Sequence, residues 1–187
     1  MRSDRAPLTA ALLLLIAFPA SAQDRPPLPE GPQQQTLARA VMQGPDGRPM
    51  GTIAFAETPN GALVHVRMEN VPGDGHGLHV HENGSCDGPG FIGAGEIFDP
   101  LGRAHGFLAS TGPKMGDLPN VFAGADGRVE ADIFTDRIRL DGGASGIFAP
   151  GGTSIILHES PDDYLTQPFG RAGLPIACGV IVPTTQP

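Results

Sequence analysis

The sequence predicts an all-β fold, a Greek-key β-barrel or sandwich with long loops. Three observations carry this. Apolar residues recur in short alternating runs, each broken by Gly, Pro or Asp. Asn60-Gly61 stands between two such runs, a strong hairpin signal. After the first 22 residues no segment shows a convincing helical period.

The elements follow in order. Leu37 to Met42 is the first candidate strand and ends at Gly44-Pro45-Asp46-Gly47. Met50 to Glu57 is the second and ends at Pro59-Asn60-Gly61. Ala62 to Met68 is the third, with Leu63, His65 and Arg67 on one face and Val64, Val66 and Met68 on the other. His65 shares its face with Arg67 and is expected to meet solvent. Leu78 to His81 is the fourth strand. Residues 82 to 117 carry nine glycines and no strand period, and read as one long functional loop. Asn120 to Ala123 and Val129 to Phe134 flank Asp126-Gly127, and Ser154 to His158 and Ala177 to Val182 close the chain. Many short strands separated by turn residues are the pattern of a sandwich or barrel. There is no internal repeat.

Residues 1–22 read as a targeting segment. Arg2 and Arg5 make a basic start, Leu8 to Phe18 an apolar run, and Ala20-Ser21-Ala22 a small-residue cleavage site, so the mature chain is expected to begin at Gln23. The apolar run is too short to span a bilayer, and no cysteine follows the cleavage site to carry a lipid. Export, most simply to a bacterial periplasm, is the expectation. Residues 23–35 are rich in Pro, Gln and Gly and form a disordered or extended leader. Residues 36–187 remain, enough at about 150 residues for one domain with a real core. With no Trp and one Tyr, that core rests on aliphatics and Phe. Without Arg2, Arg5 and Asp4 the chain holds 10 basic and 19 acidic residues, a net charge of −9. This balance argues against nucleic acid and an anionic membrane as partners, and no membrane insertion is expected.

Chemistry concentrates in two segments, Leu78-His79-Val80-His81-Glu82-Asn83-Gly84-Ser85-Cys86 and Leu157-His158-Glu159. On an extended strand, side chains two apart point the same way, so His79 and His81 lie on one side, roughly 6–7 Å apart. His158, at the end of a later strand, would complete a trigonal nitrogen site. Imidazole suits copper, zinc, iron and nickel, and three imidazoles with no thiolate suit copper that changes oxidation state. Cys86 and Cys178 are the only cysteines and lie 92 residues apart. In an exported domain they are expected to pair, closing a loop worth on the order of 4–5 kcal/mol in the chain-entropy model. A pair of copper thiolates is the alternative, disfavoured because neither belongs to a close Cys-x-x-Cys or Cys/His cluster.

Six segments, in order, resemble the Cu/Zn superoxide dismutase family across roughly residues 36 to 183. His76-Gly77-Leu78-His79-Val80-His81-Glu82 resembles its copper strand. Gly95 to Pro100 resembles the start of its zinc loop, His105-Gly106 the middle and Gly116-Asp117-Leu118-Pro119-Asn120 the end. His158-Glu159 with Asp162-Asp163-Tyr164 resembles the last copper ligand and the electrostatic loop. Ala177-Cys178-Gly179-Val180-Ile181 resembles the final strand with its disulfide. The resemblance implies His79, His81 and His158 as copper ligands, His105 and Asp117 as zinc-side residues, and Asp162 as the carboxylate that links a copper-side imidazole to a zinc-side one. His76 is expected to tie down backbone.

The same register exposes departures. The family's bridging histidine falls on Ile97, and no histidine lies between His81 and His105. A second zinc histidine falls on Lys114, and the active-site arginine on Pro175. Two zinc-side residues fall short of a closed four-coordinate site, so no tightly bound zinc is expected. Glu96, beside the lost bridging residue, is the only nearby replacement ligand. Arg171 is a poor substitute for the lost guanidinium, because a bidentate anion site needs a placed fork. Met115 is expected to pack in its loop. Family chemistry dismutates superoxide, with the bridging imidazole delivering a proton. Ile97 cannot do this, and loss of a placed proton donor costs ~10²–10⁴ in rate. Three readings follow: a weakened, copper-only dismutase acting on superoxide; an exported copper carrier with an unidentified delivery partner; and a relic without metal. Fold alone does not choose among them.

Overall fold

In the computed structural model, residues 36–143 and 146–184 are described. The targeting segment 1–22 and the leader 23–35 lie outside the described residues. Eight antiparallel strands form the fold: β1 (Thr36–Gln43), β2 (Pro49–Thr58), β3 (Gly61–Met68), β4 (Gly75–His81), β5 (Asp117–Phe122), β6 (Val129–Thr135), β7 (Thr153–His158) and β8 (Pro175–Pro183). Their order across the sheet is β5-β4-β7-β8-β1-β2-β3-β6. The sheet curls into a nearly closed barrel whose gap falls between β5 and β6. The β3–β4 and β6–β7 connections are Greek-key crossovers, since neither joins neighbours.

Alternation fixes which side of each strand faces inward. On β3, Val64, Val66 and Met68 are buried while Arg67 is exposed and His65 half-buried. His65 faces outward, where its Nδ1 lies 2.8 Å from Asp132 on β6. The main core is built from such inward residues, among them Phe55, Ile53, Val64, Leu78, Leu118, Ile155 and Leu157. No described helix is long and apolar enough to cross a membrane. The long loop after β4 contains only a short 3-10 turn, Pro89–Ala94.

Several details differ from the sequence reading for physical reasons. The β2–β3 hairpin pairs Thr58 with Gly61, so Pro59 and Asn60 form the loop. Proline holds φ near about −65° and excludes the type I′ turn that Asn-Gly favours. Gly61, at φ 149°, is required instead because a Cβ there would strike the Thr135 carbonyl of β6. β5 begins at Asp117 rather than Asn120, with His79 opposite Asp117 and Leu78 opposite Leu118. Pro119, which cannot donate to a ladder, is absorbed where the register slips between His76 and Leu78. Asp126-Gly127 does turn the chain, with Gly124 and Arg128 closing it at 2.8 Å. The strands on either side nevertheless part, β5 to β4 and β6 to β3.

A second, smaller core lies on the outside of the barrel. Phe91 and Ala94 of the 3-10 turn pack on Ile156 and Cys178, and partly buried Cys86 joins them. The Cys86–Cys178 disulfide (Cα–Cα 5.8 Å) staples this loop to β8. The staple matters for the site, because Ile156 stands directly opposite His79.

Candidate metal centre

The outer face of β4 carries the chemistry. Leu78 and Val80 enter the core, which turns His79 and His81 to the other side. That side would ordinarily meet water, yet His79 is 0% and His81 4% exposed. Two loops cover it, one between β4 and β5 and one between β7 and β8. On β7, Ile155 and Leu157 point inward, so His158 shares the outward face with Ile156 and lies diagonal to His79. Ring centroids are 6.4 Å apart for His79–His81, 4.9 Å for His79–His158 and 6.1 Å for His81–His158. One ligand nitrogen from each of the three lies within 4.8 Å of the others.

Hydrogen bonds sort the two nitrogens of each ring. His79 Nε2–H donates to Asp162 Oδ2 at 2.9 Å, His81 Nδ1–H to the Gly95 carbonyl at 2.8 Å, and His158 Nδ1–H to the Gly173 carbonyl at 3.1 Å. The remaining nitrogens, His79 Nδ1, His81 Nε2 and His158 Nε2, are buried with no partner among the described residues. A ring that gives one N–H to an acceptor keeps a lone pair on its other nitrogen. Burial pushes His81 down to about 4, against the pull of the Gly95 carbonyl and with help from His79 and Lys114. Burial, then the neighbouring His79, pushes His158 down to about 3. Both rings are therefore neutral at pH 7. Buried acceptors without donors are costly and rare. Three that converge fit a metal ion. His76 supports the group from behind, its Nδ1–H donating to the His158 carbonyl at 2.7 Å.

A second cluster adjoins the first and is chemically different. His105 is fully buried between two carboxylates: Nδ1 lies 2.8 Å from Asp117 Oδ1 and Nε2 lies 3.1 Å from Asp162 Oδ1. Burial opposes charge on this ring, but the hydrogen bonds and charges of Asp117 and Asp162 prevail and raise it to about 9. Asp162 is held well below the usual carboxylate range; burial acts the other way, and His105, His79 and the Tyr164 N–H outweigh it. Asp117 Oδ2 accepts from Gly106 N–H (2.8 Å) and Lys114 N–H (2.9 Å). His79, His105 and Asp117 have the proximity of a metal-binding group. Unlike the first cluster, both His105 nitrogens are already engaged.

The other residues singled out in the sequence lie as follows. Glu96 is exposed and stands outside both histidine groups; its N–H and carbonyl pair with Glu82. Ile97 is 2% exposed and bridges His81 strand-fashion. Met115 belongs to the main core. Pro175 opens β8 opposite His158. The Arg171 side chain is 80% exposed and 3.9 Å from Asp163.

Several participants were not singled out by the sequence as site residues. Gly95 and Gly173 act through backbone carbonyls. Asn120 brackets Asp162, donating to its carbonyl at 2.8 Å and accepting its N–H at 2.9 Å. Gln167 clamps the His105 backbone from both sides, at 3.0 and 2.8 Å. Phe169 stacks near His81 and His158; its only trace in the sequence is an isolated aromatic in a polar loop.

A nearly closed antiparallel barrel that buries converging imidazoles under two long loops defines a metal-binding β-barrel of the dismutase kind. The comparisons place it. A sequence model of copper/zinc superoxide dismutase (SODC) matches residues 49–181. The Cu-Zn superoxide dismutase of Caulobacter vibrioides is 38% identical over 147 residues, covering 77% of this chain and 84% of that protein. A superoxide dismutase-like protein from Bacillus subtilis superposes with a TM-score of 0.73 at 35% identity, covering 77% of this chain and 97% of that one. A clock protein, EA4, superposes with a TM-score of 0.67 at 30% identity, covering 82% and 98%. The chain belongs to the copper/zinc superoxide dismutase family, and membership implies a metal cofactor.

Proposed function

We propose that the chain is an exported, copper-binding superoxide dismutase-like protein that dismutates superoxide at a three-histidine copper site without structural zinc. The observation that carries this is the trio of buried, convergent, partnerless nitrogens on His79, His81 and His158. Copper bound there would supply redox chemistry, taking an electron from one superoxide and returning it to another. The chain's own residues hold the donors. Asp162 and the Gly95 and Gly173 carbonyls orient the rings, and burial keeps His81 and His158 unprotonated.

The zinc-less state is supported by the second cluster. His105 gives one N–H to each of two carboxylates, Nδ1 to Asp117 and Nε2 to Asp162, and a zinc ion would have to displace one of those protons. Ile97 and Lys114 offer no replacement imidazole. Export is supported by the targeting pattern in residues 1–22. The test compares superoxide dismutation by copper-loaded protein with free copper, using His79→Ala as control. A rate above free copper that disappears in the variant supports the enzyme.

One observation favours a second reading, a non-catalytic copper carrier. Where the family delivers a proton, the side chain is Ile97, buried and without an ionisable group. The Arg171 guanidinium points to solvent rather than to the histidines. The fold also serves a protein described as a clock protein. Activity no greater than free copper, with tight binding of reduced copper, would establish the carrier instead.

A further inference from the structure

The histidine trio has a fourth ring beside it. The Phe169 centroid lies 6.2 Å from His81 and 6.4 Å from His158, with interplanar angles of 13° and 29°. The two imidazoles are 6.1 Å apart at 29°. The three rings thus form a nearly equal-sided triangle of nearly parallel planes. It shares the His81–His158 edge with the triangle of imidazoles. The free nitrogens of both histidines have almost no accessible surface.

The backbone under Phe169 is firmly placed. Gly170 adopts φ 63°, and a Cβ there would collide with Asp162 Oδ1 and come within 2.8 Å of His105 Nε2. Gly170 N–H donates to the Thr166 carbonyl at 2.7 Å, and its carbonyl accepts from Asp163 N–H at 2.8 Å. Ala172 N–H donates to the Phe169 carbonyl at 3.1 Å. Phe169 therefore rides on the loop that also supplies Asp162 to His79.

We propose that Phe169 is an apolar cover on the three-imidazole pocket, admitting a copper ion when its ring swings aside and keeping small anions off the metal while it is closed. This rests on the assignment of His79, His81 and His158 as copper ligands, and it agrees with the carrier reading rather than with rapid dismutation, because superoxide is itself a small anion. A phenyl ring offers an anion neither a hydrogen-bond donor nor a positive charge, and an anion pressed against it loses hydration without replacement. No arginine compensates: Pro175 has none to give, and Arg171 faces solvent. Access then depends on the fraction of molecules with the cover displaced. A cover open in about 10% of molecules weakens apparent anion affinity about tenfold.

The test uses the mature chain loaded with one equivalent of copper(II). Azide is titrated and followed by electron paramagnetic resonance and by the charge-transfer band, and transfer of copper(I) to a chelator is timed separately. Phe169→Ala is expected to bind azide about tenfold more tightly than wild type and to release copper(I) correspondingly faster. Phe169→Leu retains apolar bulk and should stay near wild type, with Phe169→Val between. That ordering remains readable should the alanine variant fail to fold. Equal azide affinity across the series, with copper fully bound, overturns the cover and leaves the copper site standing. Failure of wild-type protein to bind copper overturns the site and the cover with it.

Discussion

Asp162 is the residue on which the two clusters meet, one oxygen on His79 and the other on His105. Asp162→Asn would keep the shape but lose the charge and one acceptor. We expect copper affinity to fall about 10–100-fold, measured by chelator competition, the usual penalty for losing a carboxylate behind a ligating imidazole. His105 gives a pH prediction with a definite sign. Its pKa in the folded chain, about 9, lies above the ordinary 6.5. Its stabilisation is therefore complete below pH 6.5 and is lost as pH rises towards 9, amounting to about 3 kcal/mol. Urea unfolding of the metal-free protein between pH 6 and 10 should show this loss, and His105→Gln should flatten it. In acid the signs reverse. The depressed pKa values of Asp162, His81 and His158 give stability present at neutrality and lost as pH falls. At this scale the trio was legible from the His-x-His alternation and the family resemblance. Phe169 and the Gly95 and Gly173 carbonyls were not, because nothing in a side-chain pattern reports where a loop's backbone or a lone aromatic will land.

Strand β4 was legible where its alternation is strong and missed where it is weak. Leu78 to His81 read clearly, whereas Gly75-His76-Gly77 carries too little side chain to show a period, although Gly75 and His76 pair with Phe122 and Val121. β5 was truncated for a related reason, since Pro119 reads as a strand breaker just ahead of Asn120 and only the bulge shows how the strand tolerates it. The Asn60-Gly61 signal located the right hairpin but not its turn, because the glycine answers to the β6 backbone rather than to the loop. The β7–β8 loop yields the prediction for this level. Gly170→Ala would place a methyl against Asp162 and His105 at a positive φ. The conformational cost alone is roughly 1–2 kcal/mol, and the clash adds to it. A lower melting temperature together with weaker copper binding is the expected outcome. A variant with unchanged values for both would show that the loop does not position Asp162.

Across the whole molecule, the barrel supplies rigidity and the three imidazoles, the loops cover and orient them, and the disulfide joins loop to barrel. Reducing Cys86–Cys178, or replacing both residues by serine, should cost on the order of 4–5 kcal/mol in urea unfolding. It should also loosen the small outer core of Phe91, Ala94 and Ile156 beneath the site. The all-β class and the strand sequence were legible because turn residues punctuate every run. The choice between barrel and sandwich was not, since the parting of β5 from β6 depends on pairings between distant segments. The central claim is that three imidazoles from β4 and β7 form one copper site. X-ray absorption and a crystal structure of the copper(I)-loaded protein decide it. One copper per chain is expected, bound by His79 Nδ1, His81 Nε2 and His158 Nε2. Copper bound elsewhere, or bound with any of these three nitrogens left out, would contradict it.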